Sequence, residues 1–292
     1  MAEPVRVGVI GTGIGAAHIE ALRRVPDATV VAVCSARQER AQAVARRFRI
    51  PRTTTDYHDL LGDGIDAVVV ASPPALHLPM ARDAIAAGKH VFCEKPLAIT
   101  LDEARELRDL AHKAGIVHML NHQQRFMPPY ARAKQLLDRG FIGDLTIADA
   151  RMVFNPVDYL RSPNWSDSKA GWFTDAAQGG GIMSGSAGPH LVDLLLWYGG
   201  PIAAVAARTA VTQPAIPLRD GREARDINAA DAFVVLARFA HGGMGTIRGI
   251  PVGYHQTSGF GLDLHGTAGS LLVEHGGLRG AAAGDDDLAD LP

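Results

Sequence analysis

The residues best suited to chemistry lie in one short stretch, Gly88–Pro96, which reads Gly-Lys-His-Val-Phe-Cys-Glu-Lys-Pro. Its apolar centre, residues 91–93, has the length of a buried strand. A carboxylate, an amine and a rigid ring follow at once: Glu94, Lys95 and Pro96. Open α/β sheets bind ligands beyond the carboxyl ends of their parallel strands. A charged pair fixed there by proline is therefore placed to meet a cofactor; the alternative is a solvated loop lysine paired with Glu94.

A second candidate stretch runs from Gly179 to Asp193. Pro189 is a favourable first residue for a helix, which would place His190 in the first turn. The positive end of the helix dipole disfavours a second proton there and keeps the imidazole neutral. Asp193, three residues on, lies on the same helical face and within reach to orient the ring. A neutral, oriented histidine suits a general base; the alternative is a capping or core histidine.

A glycine-rich turn connects an apolar run at residues 5–10 with a helix-like segment predicted to end at Val25. The turn consists of Gly11, Thr12, Gly13, Ile14, Gly15 and Ala16. This matches G-x-G-x-x-G/A, in which Gly11 permits the tight turn, Gly13 admits a pyrophosphate and Ala16 lets helix pack on strand. A strand at residues 29–34 completes the unit. In this context the motif predicts dinucleotide binding by Gly11, Thr12, Gly13 and Ile14.

The end of that second strand distinguishes the two nicotinamide dinucleotides. An acidic residue there would bind the ribose hydroxyls of NAD and repel a 2′-phosphate. The chain instead has Ser35, with Arg37 and Arg40 close behind. A hydroxyl and guanidinium groups suit a phosphate through charge-assisted hydrogen bonds. The pattern favours NADP over NAD; the alternative is that both arginines solvate the next helix.

Further strand–helix alternation predicts a doubly wound parallel sheet. A strand at residues 65–71 leads into Ser72 and Pro73, which we expect at the cofactor site, and then to His77, which would cap the next helix or touch the cofactor. Thr100 and Glu103 form a capping box. His118 and His122 have metal-ligand spacing, but residues four apart in a strand lie about 13 Å from each other, so no metal site is predicted.

Composition restricts the function classes. The 292 residues are 47% hydrophobic with a net charge of −2, which indicates a globular chain of about two domains and gives no reason to expect nucleic acid or an acidic membrane. The two cysteines lie in apolar runs and are expected to be reduced. The N-terminus enters a strand directly, and no apolar run reaches the roughly 18 residues of a membrane span. We therefore expect a soluble, cytoplasmic protein.

The character of the chain changes after His122. An amphipathic helix at 128–140 is followed by strand-like runs, several joined by glycine turns, which predict an antiparallel meander. The Gly/Ala/Asp-rich end is predicted to be disordered. The expected organisation is a dinucleotide-binding domain at residues 1–122, an α+β domain at 123–275 and a disordered tail at 276–292.

These motifs together resemble the glucose–fructose oxidoreductase/inositol dehydrogenase (Gfo/Idh/MocA) superfamily, from Val5 to about Val273, and Glu-Lys-Pro is the most specific part. The resemblance implies a Rossmann domain, a C-terminal domain with an open, mainly antiparallel sheet, and NAD(P)-linked redox chemistry on sugars and cyclitols. It implies that Lys95 lies beside the nicotinamide and hydrogen-bonds the reacting oxygen, whose proton His190 exchanges. Trp172 and Ser186 join His190 as candidate substrate-binding residues. A homodimer or homotetramer through the C-terminal sheet is expected.

The chain departs from the family pattern in two places. Many members carry Asp four residues before the histidine, where this chain has Ser186, and the glycine run lies one residue further from His190. The chain is also short for the family, so a final strand or the usual C-terminus is expected to be missing. Three functions remain: an NAD(P)-dependent oxidoreductase of a polyhydroxylated substrate, an NAD-dependent glycosidase, and a regulatory protein that senses nucleotide without chemistry.

Overall fold

The computed structural model describes residues 3–155, 172–217, 223–224, 226–251, 259–274 and 276–291. The chain divides into two structural units. The first is Met1–Asn121 with Ala177–Gly179, and the second is His122–Ala176 with Gly180–Pro292. The boundary predicted from composition, after His122, falls one residue from this division.

Short apolar runs of the first unit form one six-stranded sheet in the order β3-β2-β1-β4-β5-β6. Its strands are β1 (Val5–Ile10), β2 (Ala28–Cys34), β3 (Arg52–Thr54), β4 (Ala67–Val70), β5 (His90–Cys93) and β6 (His118–Leu120). Every pairing is parallel. Apolar clusters cover both faces, with Val68 and Val70 in one cluster and Val69 in the other. This two-sided burial explains why the central strands are continuous apolar runs.

Helices connect these strands and bury their apolar sides on the sheet. They are α1 (Gly15–Leu22), α2 (Gln38–Phe48), α3 (His77–Ala86) and α4 (Leu101–Ala114). The predicted capping box of α4 is confirmed: Thr100 accepts from the Glu103 backbone, and the Glu103 side chain accepts from the Thr100 backbone. Helix α1 ends at Leu22, earlier than the predicted Val25, because a residue that precedes proline is disfavoured in helical conformation.

The second unit is built on an eight-stranded sheet in the order β16-β15-β14-β13-β7-β12-β11-β8. Its strands are β7 (Leu145–Val153), β8 (Ile202–Ala210), β11 (Ala232–Phe239), β12 (Met244–Ile250), β13 (Gly259–Gly266), β14 (Gly269–Glu274), β15 (Gly277–Ala282) and β16 (Ala289–Asp290); β9 (Ile216–Pro217) and β10 (Glu223–Ala224) pair separately. The predicted mainly antiparallel sheet is confirmed, but its strands do not form a simple meander, since β12 runs parallel to β7. The strand β7, early in the sequence, is inserted between later ones.

The predicted disorder of the tail is also wrong for the described residues. Strand β15 pairs with β14, and β16 pairs with β15. Leu278 is buried in the core of the unit. Small residues lower the hydrophobicity of this segment, but a ladder uses backbone groups that every residue other than proline supplies.

In the described part of this unit, three helices accompany the sheet: α5 (Pro128–Asp138), α6 (Ile182–Gly185) and α7 (Ala187–Gly199). Helix α7 fully buries Leu191, Leu194 and Leu195. It begins two residues before the predicted first residue, Pro189. A Cβ on Gly188 would lie 1.9 Å from the Met183 carbonyl oxygen, so only glycine allows α6 and α7 to meet this closely. No helix in the described ranges is long and apolar enough to cross a membrane.

Candidate active site

The glycine-rich turn has the geometry that a dinucleotide requires. Gly11 has φ +108, and a Cβ there would lie 2.2 Å from the Ala71 carbonyl oxygen, so the turn fits only without a side chain. Gly13 and Ile14 are exposed directly before α1 begins. Backbone N–H groups at such a helix start suit a pyrophosphate. The residues of this turn therefore fit the predicted cofactor.

The predicted discriminating residues follow β2 on the same sheet edge. Ser35 is half-buried, and its hydroxyl lies 3.3 Å from that of Thr12. Arg37 is exposed and its backbone N–H lies 3.5 Å from the Ser35 hydroxyl. Arg40 lies one turn into α2 and is half-buried. Thus the structure places a hydroxyl beside the glycine turn, with two guanidinium-bearing residues next in the chain.

Glu94 is buried in a network at the carboxyl end of β5, with only 5% of its surface exposed. Its Oε1 accepts from His18 Nε2 at 2.8 Å and from Asn121 Nδ2 at 2.7 Å. Its Oε2 accepts from the Lys95 backbone at 3.2 Å. Each Glu94 oxygen thus already has at least one donor from the protein, and the contact of Glu94 with a cofactor stays a prediction.

The Glu94 network keeps a charge inside the first unit. Burial raises the pKa of the Glu94 carboxyl, but hydrogen bonds from His18 and Asn121, and the charge of Lys95, outweigh burial and lower that pKa to about 2. Lys95, half-buried, follows directly. Its ammonium is thus carried by a loop whose neighbouring carboxylate remains ionised near neutral pH.

His77 does not cap α3, whose N-cap residue is Leu76, so that alternative is wrong, and contact with the cofactor stays a prediction. It is the first residue of α3, and none of its surface is exposed. Its Nδ1 lies 2.6 Å from the Pro96 carbonyl oxygen and its Nε2 lies 2.9 Å from that of Ser72. Burial lowers the pKa of His77. The ring links the backbone after β4 to the backbone after β5, where half-buried Ser72 and Pro73 also lie.

His190 of the second unit lies in the first turns of α7 and is 4% exposed. Two aromatic rings meet its imidazole edge-on: His122 at a centroid distance of 5.6 Å and Phe260 at 5.8 Å. The position at the start of a helix is as predicted. His122 was considered only as a metal ligand at the sequence level, and its proximity to His190 could not be read from the sequence.

Asp193 has a different partner from the one predicted. Its two carboxylate oxygens accept from Arg125, from Nε at 2.7 Å and from Nη2 at 2.5 Å. The Arg125 guanidinium also lies over the Trp197 ring at 5.5 Å, and His122 Nδ1 lies 3.9 Å from Asp193 Oδ2. The bidentate ion pair with Arg125 is a strong interaction of this carboxylate that the sequence did not indicate, while the orientation of His190 by Asp193 stays a prediction.

The other two predicted substrate residues also lie in the second unit. Ser186 is buried at 7% exposure and flanks the first residue of α7, without a capping hydrogen bond from its side chain. Trp172 packs against the core of this unit, with its ring 5.7 Å from that of Phe173. Among the described residues, no group of three or more His, Cys, Asp or Glu side chains could hold a metal ion.

Sequence reasoning missed three residues that the structure places beside predicted ones: His18, Asn121 and Arg125. His18 and Glu94 are 76 positions apart, and Arg125 and Asp193 are 68 apart. The only local signal was the position of Asn121 directly after a predicted parallel strand, where ligand-binding residues gather. His18, inside a helix, carried no signal.

Comparison with known protein families gives two matches. Residues 5–122 match "Oxidoreductase family, NAD-binding Rossmann fold", and residues 130–272 match "GFO/IDH/MocA C-terminal domain". These two segments contain the glycine turn, Lys95 and His190. The candidate residues of each unit therefore fall within a matched domain.

Individual relatives agree with the family matches. Levoglucosan dehydrogenase from Pseudarthrobacter phenanthrenivorans is 30% identical over 93% of this chain and 74% of its own length. Inositol 2-dehydrogenase 1 from Saccharopolyspora erythraea is 46% identical over 48% of this chain and 43% of its own. A solved structure of levoglucosan dehydrogenase in complex with NADH and levoglucosan superposes with a TM-score of 0.88 at 28% identity, covering 99% of this chain and 79% of that one.

Proposed function

This chain belongs to the Gfo/Idh/MocA family of NAD-binding oxidoreductases, and from that premise we propose that it oxidises or reduces a sugar, cyclitol or related polyol. Hydride passes between the nicotinamide and a carbon that bears a hydroxyl or carbonyl group. The observation that carries the proposal is Lys95, held at the carboxyl end of β5 by the buried Glu94 network. Relatives that are levoglucosan and inositol dehydrogenases support the substrate class.

The chain's own residues divide the work of this proposal. Gly11, Thr12, Gly13 and Ile14 would hold the dinucleotide, which when bound supplies the hydride acceptor or donor. The Lys95 ammonium stabilises negative charge that develops on the substrate oxygen as the carbon–hydrogen bond breaks. His190 accepts the hydroxyl proton in oxidation and returns it in reduction.

In this proposal Asp193 helps to position α7 and takes no part in proton transfer. Its bond with Arg125 links α7 to the segment at 123–126, so it fixes the helix that carries His190. The relatives named above are dehydrogenases, which favours an oxidoreductase over a glycosidase or a non-catalytic regulator.

Turnover with a panel of sugars and cyclitols, followed by absorbance of the reduced nicotinamide, tests the function. We expect one class of polyol to react, and Lys95→Met to lower kcat by a factor on the order of 10²–10⁴ with little change in dinucleotide affinity. Lys113→Met, on the exposed end of α4, is the matched control. Absence of net turnover with every polyol, or a Lys95→Met variant that keeps more than about a tenth of kcat when chemistry is limiting, would refute the proposal.

We also propose that NADP binds more tightly than NAD, through Ser35, Arg37 and Arg40. The exposed Arg37 is adjacent to the hydroxyl of Ser35, directly after β2. Ser35 occupies the position where an acidic residue would bind the ribose of NAD. Loss of one charge-assisted contact costs about 1.5–3 kcal/mol. Arg37→Ala should weaken NADP at least about tenfold and leave NAD almost unchanged, as measured by calorimetric titration. Equal losses for both dinucleotides would contradict the preference.

A homodimer or homotetramer through the C-terminal sheet completes the proposal. Val234 and Leu236 alternate with buried residues along β11 and are 49% and 57% exposed; Met244 on β12 is 57% exposed. This apolar face suits a second copy of the chain. Light scattering should show an oligomer that Leu236→Glu dissociates and that Leu101→Glu, at a 65% exposed leucine of α4, leaves intact. The free, buried thiols of Cys34 and Cys93 support a cytoplasmic location.

A further inference from the structure

His18 joins the helix after the glycine turn to the strand that carries the Glu-Lys-Pro sequence. It lies in the second turn of α1 and is half-buried. Its Nε2 lies 2.8 Å from Glu94 Oε1, and its ring meets the Phe92 ring edge-on at 5.2 Å. The imidazole therefore contacts both Phe92 in β5 and Glu94, the residue before Lys95.

The sheet order makes this contact a long-range one. Strand β4 separates β1, which leads into α1, from β5. The backbone between β1 and α1 is fixed by Gly11, whose N–H donates to the Cys34 carbonyl at 2.9 Å. The glycine turn leads directly into α1, and the His18 side chain of α1 hydrogen-bonds Glu94, the residue before Lys95.

The chemistry of the contact is directional. A carboxylate only accepts hydrogen bonds, so His18 must carry its proton on Nε2. Oε1 is shared with Asn121, while Oε2 is occupied by the backbone N–H of Lys95. Rotation of the Glu94 carboxylate would therefore break its hydrogen bond with the Lys95 backbone. Donors from α1, from the residue after β6 and from the loop after β5 thus fix the plane of the Glu94 carboxylate. Of these donors, His18 is the one that belongs to α1.

We propose that His18 is a positioning residue for Lys95: by donating Nε2–H to Glu94 it sets the carboxylate plane that holds the Lys95 backbone, and it couples dinucleotide binding at the glycine turn to that loop. The proposal rests on the proposed function for its kinetic consequence. The coupling itself does not depend on turnover.

Two substitutions separate the donated proton from simple space filling. His18→Gln places an amide N–H near the position of Nε2, whereas His18→Leu fills similar volume with no donor. We expect His18→Leu to lower kcat about tenfold, to change the dinucleotide Kd less than about threefold, and to increase the deuterium isotope effect on kcat because the chemical step slows. His18→Gln should stay within about threefold of wild type in kcat. His112→Leu, which alters an exposed ring contact on α4, is the control.

Hydrogen–deuterium exchange gives a readout without catalysis. Addition of NADP or NAD to the wild type should slow exchange of the amides of Glu94 and Lys95, and His18→Leu should abolish that protection while dinucleotide still binds. If His18→Leu fails to fold, His18→Asn, whose amide is too short to reach Glu94, replaces it in both measurements.

The proposal is overturned if His18→Leu retains ligand-induced protection, or if His18→Gln and His18→Leu lose kcat equally. Failure of the wild type to turn over any polyol would instead refute the proposed function, and the exchange experiment would still decide the coupling.

Discussion

Glu94 is a buried carboxylate and Asp193 a half-buried one, each near a proposed catalytic residue, yet they are satisfied in opposite ways. Glu94 is held by an imidazole, a side-chain amide and a backbone N–H. Asp193 is held by both arms of one guanidinium. Distributed polar donors stabilise a carboxylate without cancelling its charge, whereas a bidentate arginine cancels most of it.

The difference shows where electrostatics acts in each unit. The charge of Glu94 interacts with Lys95, which helps to lower the Glu94 pKa. The hydrogen bond with Asp193 instead raises the pKa of Arg125, so the charge of Asp193 acts mainly on its ion-pair partner. We infer that the first unit uses its carboxylate to keep a negative charge beside Lys95, and that the second uses its carboxylate to fix the position of a helix.

Replacement of Glu94 should have the largest effect. Glu94→Gln leaves one acceptor oxygen for three donors and is expected to destabilise the protein by about 2–4 kcal/mol at pH 7. Because the folded pKa of Glu94 is lowered from 4.5 to about 2, its ionisation contributes stability above pH 4.5 that is lost as the pH falls towards 2. That contribution is about 3 kcal/mol.

Urea unfolding of wild type and Glu94→Gln at pH 7 and at pH 4 measures this directly. The stability difference between the two proteins should shrink at the lower pH, where the wild-type carboxyl starts to lose its advantage. Glu106→Gln, an exposed carboxylate of α4 paired with Arg82, should show no such dependence. A constant difference across pH would mean that Glu94 is not the ionised centre of its network.

The Arg125–Asp193 pair should respond asymmetrically. Arg125→Met leaves an 11% exposed carboxylate without its cation, while Asp193→Asn leaves a 37% exposed guanidinium that water can reach. We expect losses of about 2–4 kcal/mol for the first and about 1–2 kcal/mol for the second, with a double mutant no worse than Arg125→Met.

The pH–rate profile of Asp193→Asn separates position from proton handling. Since Arg125 already neutralises Asp193, the acidic limb should remain where it is in the wild type while kcat falls. A limb shifted to lower pH would show that the Asp193 charge raises the pKa of His190, and would restore the orientation role that the sequence predicted.

Ser186→Ala should have the smallest effect. The hydroxyl cannot carry charge near neutral pH, and the Ser186 side chain forms no cap on α7. We expect a change in stability below about 1 kcal/mol and kcat within about threefold of wild type, by thermal denaturation and steady-state assay. A severe loss of kcat with an unchanged melting temperature would show that the serine relays the proton.

Local patterns determined much of the architecture. The glycine turn, the capping box at Thr100 and Glu103 and the alternation of apolar strands with helices each depend on residues within one element or its neighbour, so the sequence predicted them correctly. The family followed from the same short motifs, because they are contiguous in the chain.

Tertiary structure alone decided which groups satisfy the buried carboxylates. The spacing in the sequence suggested that Asp193 pairs with His190, three residues away. In the structure the carboxylate accepts hydrogen bonds from Arg125, 68 residues away. The sequence likewise did not indicate that His18 hydrogen-bonds Glu94, which lies 76 positions later in the chain. A buried charge is stabilised by whichever donors the fold brings within about 3 Å, and that choice depends on packing of distant elements, which no local pattern encodes. The same reason applies to two strand pairings that the sequence did not predict. The pairing of β7 with β12 and that of β15 with β14 depend on backbone hydrogen bonds between strands that no local pattern specifies.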